Sequence, residues 1–431
     1  MDVQWRVRLG FCTALLAAAT AFGPLAWAAR AADFEAPPAF NAADVLGPGR
    51  VRGTHYTIDP RAQNDGFMNR YKVTSPFGTL EAYGDAMVME RAREMDAIAA
   101  IRKIKKTDAY MKGLENAVVS PFEASKEAIT KPIQTLGNLA DRTKQLISDV
   151  FSAIKNLGKD SGREEDSSLL KDLIGYNKTK RKLAFDLGVD PYSSNRFLQQ
   201  ELGDLAWASF AGNATIDLAI TAATAGGVGV AISAVEMATA SESLLRENSP
   251  TSLTNINTQH LAAMGIEGKE ADAFLFHAQF SVRHQTLLVH GLAAMENVAG
   301  RGDYIRLAKN AKNENESLFF QRTAEIMGAY HQQVQRVTRI VVSSGVAFFE
   351  DVDGRIILPA LADYVVWTPK SARMIGAFPA GGRSPALWIT GTVSPRTRNH
   401  LAAQGIAAEE RVFPRRLADR VIAVKPPEAE K

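Results

Sequence analysis

Apolar positions along this chain follow two rhythms, and each predicts a type of element. From Asp85 onward Met87, Met89, Ala92, Met95, Ile98 and Ile101 recur three or four residues apart, which places them on one face of a helix. A second helical stretch starts near Ser120-Pro121, breaks at Pro132 and resumes after Gly137. Its best part carries Leu146, Ile147, Val150, Phe151, Ile154 and Leu157, with Lys144, Asp149 and Lys155 facing away. Such a stripe packs on a neighbouring helix or lies on a membrane surface, and packing is the expectation. A longer helical block runs to about residue 335, punctuated by Gly188-Val189-Asp190-Pro191, Asn248-Ser249-Pro250 and the turn at 300–303.

The second rhythm is strand-like and sits at the two ends. Tyr56-Thr57-Ile58, then 71–74 and 79–83, are separated by the turns Asn64-Asp65-Gly66 and Ser75-Pro76-Phe77-Gly78. Residues 339–342, 346–349 and 356–358 are β-rich, with Asp353-Gly354 as a hairpin turn. A duplication follows. Val365-Val366-Trp367 leads into Thr368-Pro369-Lys370, and Leu387-Trp388-Ile389 is followed by Val393-Ser394-Pro395-Arg396. In each copy a hydroxyl at the N-cap accepts an orphan backbone N–H, and proline at the first helical position has none to lose. The fold class expected is α+β and predominantly α-helical, a central helical body with short β segments near the mature N-terminus and in the C-terminal quarter. Pairing of the segments near 50–83 with those near 339–392 would bring the two ends together.

The first 28 residues change the picture. Arg6 and Arg8 precede a mostly apolar run from Leu9 to Trp27, and the small-residue signals Ala26-Trp27-Ala28 and Ala29-Arg30-Ala31 follow. That order predicts a secretory signal peptide cleaved after Ala28 or Ala31. The competing reading, a retained anchor, is opposed by Gly10, Gly23, Pro24 and the cleavage signals. Cys12 lies too early in the run to be a lipidated cysteine. The remaining organisation is an extended leader over 33–49, a short β region over 50–83, a helical segment over 84–157 and a flexible charged linker over 158–167. A helical body over 168–335, an α/β region over 336–424 and a tail over 425–431 follow. The expected location is the periplasm or the extracellular space.

Composition narrows the chemistry. Cys12 is the only cysteine, so the mature chain has none and thiol chemistry is excluded. A formal net charge of +3 gives no field for gripping nucleic acid, and the run Lys178-Thr179-Lys180-Arg181-Lys182 reads as a solvated helix face. No phosphate loop, dinucleotide fingerprint, Gly-x-Ser-x-Gly elbow or HExxH pattern occurs, so no cofactor and no metal is expected. Asp351-Val352-Asp353-Gly354 has its glycine two positions too early for a calcium loop. His277 and His284 lie seven apart, about 10.5 Å along a continuous helix, too far to share one ion. Residues 218–235 carry no charge, which suits a buried helix pair or an inserting hairpin. The weak catalytic candidates are Asp190, Glu201, Asp204 beside Trp207, and His277 among Phe274, Phe276 and Phe280.

Two stretches, Ser75-Pro76-Phe77-Gly78-Thr79-Leu80-Glu81-Ala82-Tyr83-Gly84-Asp85 and Leu187-Gly188-Val189-Asp190-Pro191-Tyr192-Ser193-Ser194-Asn195, resemble segments of uncharacterised exported bacterial proteins. The resemblance touches about a twentieth of the chain and implies export and a helix-rich body. It carries no activity. The expectation is a non-enzymatic binding or scaffold protein of the cell envelope, with an envelope protein or a membrane surface as possible partner. The alternatives are a membrane-active protein inserting 218–235 and a hydrolase with a dispersed site.

Overall fold

The computed structural model describes residues 34–118, 164–212, 240–379 and 383–412. The signal segment, the stripe at 146–157 and the uncharged run 218–235 lie outside them. The described chain is α+β with helix predominating, 51% against 20% strand.

An antiparallel sheet comes first: β1 (Ala39–Asn41), β2 (Thr57–Ile58), β3 (Arg61–Asn64), β4 (Asn69–Ser75) and β5 (Gly78–Tyr83). Strand β4 is its centre, flanked on one edge by β2 and β3 and on the other by β5. Asn69, Tyr71 and Val73 point inward while Arg70, Lys72 and Thr74 face out, the alternation of a sheet with one covered face. The β4–β5 turn is the expected Ser75-Pro76-Phe77-Gly78, held by Ser75 Oγ donating to the Gly78 carbonyl at 2.8 Å.

Helix α1 (Ala42–Leu46) is short; α2 (Asp85–Ile104) covers the sheet with Val88, Met89, Ala92, Met95, Ile98 and Ile101. Gly84 turns the chain into α2 with φ 100°, and a Cβ there would lie 2.5 Å from Met68 Cε. Helices α3 (Asp108–Val118), α4 (Glu164–Asp186) and α5 (Arg196–Phe210) extend this layer. Since α4 begins at Glu164, residues 164–167 of the expected linker are helical, and 158–163 lie outside the described residues. Asn195 is the N-cap of α5, accepting from the Phe197 and Leu198 amides.

A second helical group comprises α6 (Ala240–Glu247), α7 (Pro250–Ala262), α8 (Gly268–Leu275), α9 (Val282–Ala293), α10 (Arg301–Ala308) and α11 (Glu314–Gln333). Helices α9 and α11 meet at glycines: a Cβ on Gly328 would lie 2.5 Å from the Gly291 carbonyl. The helix imagined through His277 and His284 is broken, because α8 ends at Leu275 and α9 begins at Val282.

The second sheet has the order β12-β10-β8-β7-β6, from β6 (Val337–Ser343), β7 (Val346–Asp351), β8 (Arg355–Ala360), β10 (Arg383–Ile389) and β12 (Ala407–Glu410). β8, β10 and β12 run parallel; β6, β7 and β8 form an antiparallel meander with the Asp353-Gly354 turn as expected. The inner strands β7, β8 and β10 are buried on both faces, so they read as continuous apolar runs, whereas the edge strands β6 and β12 are mostly exposed or half-buried. Phe349, Ile357 and Trp388 pack with Met327 and Tyr330 of α11. Phe348, Ile356, Leu358 and Leu387 face the other way, toward α12 (Pro369–Ile375) and α13 (Pro395–Ala403).

Those two helices are the duplicated units. Thr368 and Ser394 are their N-caps, and the preceding strands β9 (Tyr364–Val365) and β11 (Thr392–Val393) pair in parallel. The two ends of the chain do meet, but not through the expected strand pairing. The Val366 amide donates to the Gly66 carbonyl at 3.0 Å, and the Asp363 amide to Phe67 at 2.9 Å. Glu35 closes the junction: its Oε2 accepts from the Trp367 amide (2.8 Å) and from Ser394 Oγ (2.5 Å). Loops rather than a ladder join the two sheets.

Candidate functional site

Two charged residues interrupt the apolar face of α2. Arg91 is 6% exposed and Glu94 is fully buried. A buried charge survives only if paired and hydrogen-bonded, and the loop 190–195 supplies the partners. Arg91 Nη1 reaches both Glu94 oxygens at 2.8 and 2.9 Å and Ser193 Oγ at 2.8 Å, and Nη2 donates to Ser194 Oγ at 2.7 Å. Glu94 also accepts from Ser193 Oγ at 2.5 Å and Asn195 Nδ2 at 2.8 Å. Burial lifts the Glu94 carboxyl above the usual range, partly offset by Arg91 and Ser193. The hub therefore fixes the loop at 190–195 to α2 and, through the Asn195 cap, sets the start of α5.

Beside the hub lies a concave site in two parts. The outer cleft, about 250 Å³, opens between β5, α2 and the start of α11. The inner cavity, about 30 Å³, lies between α2, the 190–195 loop, α9 and α11. Met87, Arg91 and Glu314 line both.

The inner wall carries three polar atoms with no hydrogen-bond partner among the described residues: Tyr192 Oη, His284 Nδ1 and Gln321 Oε1. His284 is 7% exposed and Gln321 1%. Leaving such atoms unpaired costs about 1–3 kcal/mol each. Burial, with Arg283 beside it, pushes the His284 imidazole down to about 4, so the ring is neutral. Burial pushes the Tyr192 phenol up to about 12, so it keeps its proton. The wall thus holds, out of solvent, one hydroxyl donor, one amide acceptor and one ring nitrogen whose role follows its tautomer.

The basic groups here are already held. Arg91 is bound by Glu94, Arg283 Nε lies 3.6 Å from Asp190, and Arg322 Nη1 lies 2.9 Å from Glu325. Glu81 lines the outer cleft, Glu90 the inner cavity and Glu314 both, and the charges of Glu90 and Glu314 act on the Arg91 guanidinium.

The sequence candidates separate. Asp190 lines the inner cavity, accepting from the Tyr192 amide at 2.9 Å. Glu201 and Asp204 are brought together by Lys105, at 3.0 and 2.7 Å, and Arg102 adds a 2.7 Å contact to Glu201. Burial works against the Glu201 charge, but Arg102 and Lys105 outweigh it and hold the carboxyl below its usual range. Asp204 is half exposed. His277 lies in the turn between α8 and α9, edge-on to Phe280 at 5.4 Å. None of these three lines the cleft or the cavity. The residues that do form the wall and hub carried little signal. Arg91 and Glu94 were visible only as polar breaks in an apolar stripe, and Tyr192 and Ser193 only as part of the loop before α5.

A second polar cluster sits at the junction of the sheets. Asp363 accepts from the Asn69 amide (2.8 Å) and the Asp85 amide (3.1 Å), capping α2 from 278 residues away. Asp85 in turn accepts from Tyr71 Oη (2.5 Å) and Asn69 Nδ2 (3.0 Å). Burial, and then the Asp85 charge, push the Asp363 carboxyl up to about 7. Among the described residues no cluster of three His, Cys, Asp or Glu could hold a metal ion, and no helix is long and apolar enough to cross a membrane. No protein-family model, curated protein or solved structure matches the chain.

Proposed function

We propose that the chain is exported and serves as a non-enzymatic binding protein of the cell envelope. What supports the binding half is the concave site beside the hub, an outer cleft and an inner cavity that share Met87, Arg91 and Glu314, with unpaired buried polar atoms of Tyr192, His284 and Gln321 around the inner part. Protein interiors pair nearly all such groups, so three around one cavity mark packing that the fold has not optimised for its own stability. The basic start, apolar run and cleavage signals of the first 31 residues support export. On this reading the sheet over 39–83 lies close to the mature amino terminus.

Two observations favour binding over a hydrolase with a dispersed site. Glu201 and Asp204 are engaged by Lys105, and His277 packs on Phe280 away from the cleft. The export half is tested by fractionating cells that express the full chain and sequencing its amino terminus. The expected result is envelope protein beginning at Ala29 or Ala32. Protein retained in the cytosol with Met1 or its neighbour intact would refute it.

A further inference from the structure

We propose that Phe34-Glu35, at the tip of the amino-terminal segment, is a releasable latch. One glutamate pins the starts of both duplicated units, and its release loosens them while the two sheets stay formed. The latch is independent of the cleft and of export.

Three hydrogen bonds make the pin. The Glu35 amide donates to the Trp367 carbonyl at 2.8 Å, and the Trp367 amide donates back to Glu35 Oε2 at 2.8 Å. Ser394 Oγ donates to the same oxygen at 2.5 Å. Trp367 directly precedes Thr368, the N-cap of α12, and Ser394 is itself the N-cap of α13. A single carboxylate therefore spans the strand-to-helix turns of both units. It also orients the Ser394 hydroxyl: with the proton directed at Glu35, a lone pair is left to accept the Thr397 amide at 3.0 Å.

Among the described residues little else holds the tip. Phe34 and Glu35 are half-buried and Ala36 is exposed. The Phe34 ring borders the core beneath α12 and α13, 6.3 Å from Trp367 between ring centres. The next anchors are Pro37 and Pro38, whose carbonyls accept from Gln63 Nε2 at 3.3 and 3.2 Å, while Pro38 also accepts from the Asn64 amide at 2.9 Å. Opening stops there, because each proline fixes its own φ and restricts the residue before it. A segment with so few buried apolar contacts opens at lower free energy than the whole fold.

The rest of the junction has its own fastenings. Asp363 keeps the Asn69 and Asp85 amides, the Val366 amide keeps Gly66, and β9 stays paired with β11. Thr368 retains its capping box with Ser371, at 2.8 and 3.2 Å, so α12 keeps its start. Ser394 caps α13 without that reciprocal bond, and release removes the charged acceptor that orients it. Opening is therefore uneven, larger at α13 than at α12. It also uncovers Trp367, whose ring is stacked on His400 at 3.8 Å and 10°.

The test is amide hydrogen exchange of the purified chain, followed residue by residue by NMR. In the parent, exchange of the Trp367 amide should be insensitive to low urea, whereas amides of the central strand β10 should follow global unfolding. Glu35→Ala should speed Trp367 exchange roughly tenfold or more, the effect of losing a hydrogen bond to a charged acceptor. Thr397 should speed up by a smaller factor, and Ser371 and the β10 amides should not change. Trp367 protection unaltered in Glu35→Ala overturns the latch. So does a urea dependence of Trp367 in the parent equal to that of β10, a result that needs no variant. Acceleration of β10 by the same factor as Trp367 would make the tip part of the global unit and overturn it as well.

Discussion

The Arg91–Glu94 hub and the inner wall are neighbours built on opposite terms. In the hub each charged group finds several partners: Glu94 accepts from Arg91, Ser193 and Asn195, and Arg91 spreads its donors over Glu94, Ser193 and Ser194. A few residues away Tyr192, His284 and Gln321 leave buried polar atoms without a partner among the described residues. Tyr192 and Ser193 are adjacent in sequence, so one loop serves both. The difference separates what the fold uses to hold itself together from what it holds in reserve. The Asp363 junction belongs with the hub, because both its oxygens accept backbone amides.

The largest expected effect breaks the hub. Glu94→Ala strands the Arg91 charge in the interior, and removing one partner of a buried pair costs about 3–5 kcal/mol. Urea denaturation should show that loss; a change within about 0.5 kcal/mol, the range of ordinary surface substitutions, would mean the hub is not structural. Next comes acid. His284 is held neutral, down to about 4, whereas an unfolded histidine takes its proton near its ordinary value. Between about pH 6.5 and 4 the unfolded state binds more protons, so stability falls as pH falls. At roughly 1.4 kcal/mol per pKa unit the loss is about 3 kcal/mol. Denaturation curves across that window should therefore be flatter in His284→Asn by about that amount.

The junction responds in the opposite direction. Asp363, raised to about 7, holds a proton that the unfolded chain has released. From about pH 4 to 7 the folded state binds more protons, so this group's stabilising contribution declines as pH rises. Asp85→Asn removes the neighbouring charge and should reduce that decline by about 1–2 kcal/mol, read as the difference in slope between variant and parent. An unchanged slope would show that burial alone raises Asp363. The smallest effect sharpens the contrast most. Tyr192→Phe deletes a hydroxyl with no partner, so stability should stay constant or rise, within about 1 kcal/mol. A larger loss would place the hydroxyl in the structural network.

Local features of the fold were legible in the sequence. Periodicity of three and four marked the buried face of α2, and the turns Asn64-Asp65-Gly66 and Ser75-Pro76-Phe77-Gly78 bounded β4 and the start of β5. The pairs Thr368-Pro369 and Ser394-Pro395 announced the caps of α12 and α13, because capping is settled within four residues. Long-range partnerships were not legible. The cap of α2 is Asp363, the partners of Glu94 lie about a hundred residues downstream, and the inner wall joins a loop to α9 and α11. Tertiary approach decides these, and no spacing rule reports it. The carboxylates beside Trp207 looked like candidates because the two basic residues that neutralise them, Arg102 and Lys105, sit at the end of another helix, α2. The ends of the chain were expected to meet, and they do. The manner differs because Gly66, Phe67 and Glu35 supply loop contacts where strand pairing was anticipated.

The central claim is that His284 is buried beside the hub with no partner for its Nδ1 among the described residues, and the ring reports on this directly. Protein labelled with ¹⁵N-histidine should be titrated with acid while the His284 resonances are followed. The account predicts a neutral ring until the pH approaches about 4. A ring that takes its proton near the ordinary histidine value would show it solvated or paired and would contradict the account.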